Sequence, residues 1–306
     1  MITIRRVTRN INTAILTLSL WISTAEQLSA QENCISVLLP PPSSAYAAIL
    51  NDIKEGINET ADREIKYLNI SPDSNTDNLE STICDRVIGI GNPGMTMAEK
   101  MNRKSVSGAV FIPPGEPVGH NVYSLIPNPD SLFERLQFFN QGIKKVVVLY
   151  SFKYSEKLIH KAKISAKQRG IELIPLESSS LRDSQRLYQQ FFASTDDTTA
   201  LWVLQDPLTI DNNIILTFIL EQSWNKNIIL FSSQASLAKH GALFSVYPDN
   251  VNLGKQLYKA VTEEPFLNQK EVRLLSSMKT AFNTRTASHL GIRYKRGKYV
   301  DQTFPK

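Results

Sequence analysis

Five short stretches of this chain carry side chains suited to holding a small molecule, and none carries a reaction centre. They are Pro42-Ser43-Ser44 with Tyr46, Asn92-Pro93-Gly94-Met95-Thr96, Ser151-Phe152-Lys153-Tyr154, Asp206-Pro207 with Asp211, and Ser232-Ser233-Gln234. The Ser43 and Ser44 hydroxyls and the backbone N–H groups around Gly94, Met95 and Thr96 suit a carboxylate, because helix starts favour negative charge. Asp206 is the best-placed partner for an ammonium. Tyr46, Phe152 and Tyr154 can cover an apolar or aromatic group. Asn92, Ser151, Ser232 and Ser233 complete the set of expected ligand contacts. Each also has a plainer role: a serine can cap a helix, Asp206 can shape the turn before Pro207, Tyr46 can pack into a core, and Lys153 can be solvated.

Enzyme chemistry finds no support. There is no G-x-S-x-G, no G-x-x-x-x-G-K-[ST] and no H-E-x-x-H. His120, His160, His240 and His289 fall on different elements, and four His with two Cys lack metal-ligand spacing. No catalytic residue, metal or cofactor is expected.

The five stretches are all strand-to-helix turns, and that defines the scaffold they need. Apolar runs at Ile35–Leu39, Ile65–Ile70, Arg86–Ile90 and Ala109–Ile112 alternate with helical patterns at Ala45–Thr60 and, after the turn Gly91-Asn92-Pro93-Gly94, a short one reaching about Met101. Val122–Ile126 reads as an extended crossing, and Asp130 or Ser131 as the cap of a helix Leu132–Gln141. A second cycle places strands at Val146–Tyr150, Glu172–Leu176, Leu201–Leu204 and Ile228–Phe231. Its helices are Tyr154–Gln168, Leu181–Phe192, Asn212–Trp224 and Gln234–Lys239. Regular alternation predicts parallel sheets covered by helices on both faces, with ligands beyond the C-terminal strand ends. A final strand, Ala242–Tyr247, leads through Pro248-Asp249-Asn250 into a helix opening near Asn252, with Val251, Leu257, Tyr258 and Val261 on one face.

At 306 residues, 42% hydrophobic and 21% charged, the chain suits two domains. Residues 1–30 differ from the rest. Arg5, Arg6 and Arg9 precede a mostly apolar Ile11–Ala25 and the small-residue end Leu28-Ser29-Ala30, the pattern of a cleaved secretory signal. Gln31-Glu32-Asn33 before Cys34 fails the lipoprotein pattern, so a soluble periplasmic protein is expected. Removing three Arg and one Glu leaves a formal charge of +3. That is too small to argue for nucleic acid, and Arg293–Lys298 reads as a solvated tail. Cys34 and Cys84 each precede a strand, the first and third. In the 2-1-3-4-5 order these strands are neighbours, so an exported chain would pair the two thiols, with two unlinked buried thiols as the alternative.

Several segments resemble one family. His240–Gln256 (HGALFSVYPDNVNLGKQ) is similar to the late crossover of the ABC-transporter substrate-binding proteins of the tryptophan/tyrosine-importer type. Arg86–Pro93 resembles that family's strand ending in a Gly-Thr-Pro turn, and Lys144–Tyr150 the strand opening its second lobe. Asn283–Ile292 resembles its Asn-x-x-Thr-Ala-x-x-Leu-Gly closing segment. The resemblance departs at Asn92, where Thr or Ser is usual, and at Ser151-Phe152, which replaces Asn-Pro. It implies the type I periplasmic binding protein fold: α/β, two Rossmann-like lobes with parallel sheets joined by a hinge. The lobes would be 31–125, completed by about 248–306, and 126–247, with a cleft between them. It implies a monomer that captures a small molecule, an amino acid or related carboxylate, and delivers it to an ABC permease. A sensing or docking subunit of a membrane receptor, without transport, is the alternative.

Overall fold

The computed structural model describes residues 33–71, 79–101, 103–211, 213–295 and 297–305; the expected signal segment lies outside them. The strands are β1 (Cys34–Leu39), β2 (Glu64–Asn69), β3 (Arg86–Ile90), β4 (Lys104–Val110), β5 (Asn121–Pro127), β6 (Lys145–Tyr150), β7 (Glu172–Glu177), β8 (Thr199–Val203), β9 (Ile229–Ser232), β10 (Phe244–Pro248), β11 (Val272–Leu275), β12 (Met278–Asn283) and β13 (Gln302–Phe304). The helices are α1 (Ala47–Thr60), α2 (Gly91–Lys100), α3 (Pro129–Phe139), α4 (Phe152–Gln168), α5 (Leu181–Ser194), α6 (Ile215–Asn225), α7 (Ser236–His240), α8 (Asn250–Thr262), α9 (Glu264–Leu267) and α10 (Thr284–His289).

Two sheets result, ordered β11-β5-β4-β3-β1-β2 and β13-β12-β10-β9-β8-β6-β7. Numbered within its own cycle, each contains the run 2-1-3-4-5. Pairing is parallel along β4-β3-β1-β2, between β5 and β11, along β10-β9-β8-β6-β7 and between β12 and β13, while β12 lies antiparallel to β10. The fold is therefore α/β with two mostly parallel sheets and interleaved helices, as the strand–helix rhythm requires.

Of the described residues, one compact unit holds those up to Gly108 with Gly119–Asn121 and Gly254–Gln269. The other holds Ala109–Val118, Val122–Leu253 and Lys270 onward. In the first unit, Leu38, Val87, Met97 and Ala98 form a buried cluster with Ile70 and Ile83. Cys34 and Cys84 are disulfide-bonded with Cα atoms 5.6 Å apart, because β1 and β3 are parallel neighbours and pair Ile35 with Arg86. In the second unit, alternate residues of each strand enter opposite cores. Val146 and Val148 of β6 join Trp202 of β8 on one face, while Val147 and Leu149 join Leu201 and Val203 on the other.

Some local expectations fail for identifiable reasons. Helix α1 begins after Tyr46 with no side-chain cap bond, so neither Ser43 nor Ser44 caps it. Helix α3 begins at Pro129, and Asn128 rather than Asp130 or Ser131 is its cap, accepting the Asp130 N–H at 3.2 Å. Proline at the first helical position lacks the N–H that would otherwise go unpaired there, which favours this earlier start. The extended piece expected at Val122–Ile126 is strand β5, registered against β11. Of the last three strands, β11 joins the first sheet and β12 and β13 the second.

Candidate functional site

The C-terminal ends of β8, β9 and β10 surround a cavity of about 800 Å³ in the second unit. Tyr154, Ser155 and Leu158 of α4 form one wall, and Leu204, Gln205 and Pro207 follow β8. Ser233 to Ser236 follow β9, and Val246, Tyr247 and Pro248 end β10. Phe111 and Pro113, beyond β4, and Leu125 to Pro127, ending β5, complete it. No side chain lining it is charged. The walls are apolar and aromatic, with Gln205, Ser233, Gln234, Ser236 and the Tyr hydroxyls as neutral hydrogen-bonding groups, the usual make-up of a small-molecule pocket. Burial, followed by the nearby Asp301 and Asp249, raises the Tyr247 hydroxyl above its ordinary pKa, so it remains a donor at neutral pH.

Asp206 does not face this space. It is 1% exposed. Its carboxylate accepts the Ser151 N–H at 2.8 Å, the Ser155 hydroxyl at 2.7 Å and the Leu208 N–H at 3.1 Å. The Ser151 hydroxyl lies 2.8 and 2.9 Å from its two oxygens. The carboxylate expected to meet a ligand ammonium instead ties the start of α4 to the turn after β8, and Gln205 and Pro207 beside it reach the cavity. A carboxylate this enclosed needs such donors, because an unpaired buried charge is costly. Beside it the Tyr188 hydroxyl is fully buried, and burial with the Asp206 charge pushes its pKa far up.

Tyr154 and Ser233 are the expected contacts that line the cavity. Tyr154 is 45% exposed, with the Lys153 ammonium 5.0 Å from its ring centre. Ser151 is buried against Asp206. Ser232 donates its hydroxyl to the Val203 carbonyl at 2.9 Å and accepts the Gln234 N–H, holding the turn after β9. Phe152 is exposed and outside the lining. In the first unit Ser43, Ser44 and Tyr46 are exposed before α1, and Asn92 and Thr96 are exposed on α2. Gly94 is buried for packing: a Cβ there would stand 2.7 Å from the Leu38 carbonyl oxygen.

Sequence reasoning missed Phe111, Leu125, Gln205, Val246 and Tyr247. The rule that found the other turns applies equally to the end of β10. Tyr247-Pro248 satisfied it but was read only as the approach to a crossover. Among the described residues no group of three or more His, Cys, Asp or Glu could hold a metal ion, and no helix is long and apolar enough to cross a membrane.

Two α/β sheets of this topology, with an uncharged cavity lined by strand ends of both, suit a protein that holds a small molecule. The sequence profile described as ABC transporter substrate binding protein matches residues 131–296. The chain belongs to that family and is a substrate-binding protein of ABC transport. No curated protein sequence matches it. Among solved structures it is similar to the ligand-free, open form of a substrate binding protein with adhesive properties from Clostridium difficile. That likeness has 14% identity and a TM-score of 0.63, covering 89% of this chain and 98% of the other. It is also similar to the ABC domain in complex with L-Trp from Streptococcus pneumonia, at 18% identity and a TM-score of 0.49, covering 89% and 99%. The first of these likenesses supports the two-sheet fold and nothing finer.

Proposed function

We propose that this substrate-binding protein works in the periplasm after removal of residues 1–30, and that its second-unit cavity receives the uncharged, apolar or aromatic part of a small carboxylate-bearing molecule. The observation carrying this reading is the lining itself. Tyr154, Tyr247 and Phe111 supply aromatic surface, Gln205 and the serines supply neutral hydrogen bonds, and charged groups are absent from the wall. With Asp206 enclosed, this unit offers no carboxylate for an ammonium there, so the amino-acid expectation narrows to the side-chain end of such a ligand. A docking subunit without transport has no observation in its favour.

Mass spectrometry of small molecules released from gently purified protein identifies the ligand, and calorimetry then measures it. Tyr154→Ala is expected to weaken binding by about 1–2 kcal/mol through lost aromatic contact. Gln205→Ala is expected to change selectivity among ligands that differ in a hydrogen-bonding group. Unchanged affinity in both variants removes this cavity from the site. Alanine at Ser43, Ser44, Asn92, Met95 and Thr96, titrated in the same way, tests the expected first-unit contacts. N-terminal sequencing of periplasmic material is expected to begin at or near Gln31; a mature chain that keeps Arg5 and Arg6 excludes the cleaved signal.

A further inference from the structure

A second and larger cavity, about 1050 Å³, opens at the opposite end of the same sheet, where β9 and β10 begin and β12 and β13 finish. Its chemistry differs sharply from the first. Lys239 and His240 end α7, Arg285 and His289 lie on α10, and Glu221 is the single carboxylate in the lining. None of the four basic side chains makes an ion pair among the described residues. Two cations, Lys239 and Arg285, gathered around one cavity repel each other, and an anion relieves that repulsion.

The cavity also has a built wall. Asn283 is 6% exposed; it donates to the Ala238 carbonyl at 2.8 Å and accepts the Thr286 N–H at 2.8 Å. Thr286 donates its hydroxyl to the Gly241 carbonyl at 2.9 Å. These bonds join β12, α10 and the end of α7 beneath the basic groups. Ser223, 6% exposed, lines the cavity with a buried hydroxyl that has no hydrogen-bond partner among the described residues. Trp224 supplies a flat surface. His289 stacks on its ring at 3.7 Å while bonding its backbone carbonyl, and the Arg285 guanidinium lies 5.4 Å from the ring centre. The planar fork of Arg285 is the geometry that recognises phosphate with two parallel bonds.

We propose that this cavity is a separate site for a soluble organic phosphate, an ester whose ring or other apolar body lies along Trp224 and Phe304 and whose phosphate meets Arg285 and Lys239. Because it sits at the far end of the strands from the uncharged cavity, it does not depend on which ligand that cavity takes.

Phenyl phosphate, inorganic phosphate and phenol are titrated into the purified protein by calorimetry and tryptophan fluorescence. Trp224 lines the proposed site and is 36% exposed, whereas Trp202 is 1% exposed, so quenching that disappears in Trp224→Phe reports on the proposed site. Phenyl phosphate is expected to bind about tenfold or more tightly than either fragment. Arg285→Ala should lose about tenfold in affinity, with partial recovery in Arg285→Lys. The Arg285 side chain makes no hydrogen bond among the described residues, so an unchanged urea midpoint separates lost binding from lost folding. Tyr154→Ala should bind phenyl phosphate normally. No saturable binding overturns the proposal, as does full affinity in Arg285→Ala or loss in Tyr154→Ala. Capture by phosphatidylglycerol vesicles without binding of phenyl phosphate also overturns it, assigning the basic cluster to a lipid surface.

Discussion

At the scale of single residues, Asp206 and His120 show how much of a site is internal support. Replacing Asp206 by Ala leaves the Ser151 and Leu208 N–H groups and two hydroxyls without their acceptor in a dry interior. The expected loss is about 3 kcal/mol or more, read from the urea transition of the second unit, with Asp206→Asn losing about half of it. An unchanged midpoint would return Asp206 to the role of a ligand contact. His120, 7% exposed, lies 2.6 Å from the Ser107 hydroxyl through Nε2. Burial holds its imidazole below the ordinary 6.5, outweighing Glu99, which pulls it up. The unfolded chain therefore takes the proton first. Stability from this residue is fully present above about pH 6.5 and is lost as pH falls through the lower folded value. Urea midpoints of the first unit should decline between pH 7 and 5, and His120→Gln should flatten that decline; parallel curves would show that other groups set it. Which turns hold polar residues was legible from the sequence, because strand ends and proline breaks mark them. Whether a carboxylate in such a turn faces a cavity or the backbone beside it was not, since both require the same residue type.

Among the elements, legibility followed hydrophobic contrast. Strands β1, β3 and β6 are continuous apolar runs and were placed within a residue or two. Strand β4, Lys-Ser-Val-Ser-Gly-Ala-Val, has too little contrast, and only its end was placed. Strands β11 to β13 were missed because short, half-polar strands are specified by the partner they pair with. Helix α8 was legible, with Leu257, Tyr258 and Val261 buried as its spacing requires, but its close approach to α1 was not. A Cβ on Gly254 would stand 2.2 Å from the Ile53 carbonyl oxygen. In a free helix Gly254→Ala would gain about 1 kcal/mol of propensity. Here the collision is with backbone, which cannot rotate away, and we expect a net loss of about 2–3 kcal/mol from the first unit by chemical denaturation. Stabilisation by alanine would mean that the two helices are further apart.

For the whole molecule, the disulfide and the division into units make one joint prediction. Cys34–Cys84 closes a separation of 50 residues inside the first unit, worth about 4 kcal/mol on the chain-entropy account. Reduction should lower the unfolding transition of that unit and leave the second in place; a uniform shift of one transition would show that the two unfold together. The order of the chain adds a constraint in time. The first unit includes Gly254–Gln269, which follows most of the second unit, and the second is finished only by β12 and β13 near the chain's end. A polypeptide delivered N-terminus first can close its disulfide loop early, yet it cannot cover α1 with α8 until some 170 further residues have emerged, a span of many seconds at ordinary synthesis rates. Through that interval the apolar underside of α1 is exposed, so the nascent first unit is the form a holdase chaperone would meet.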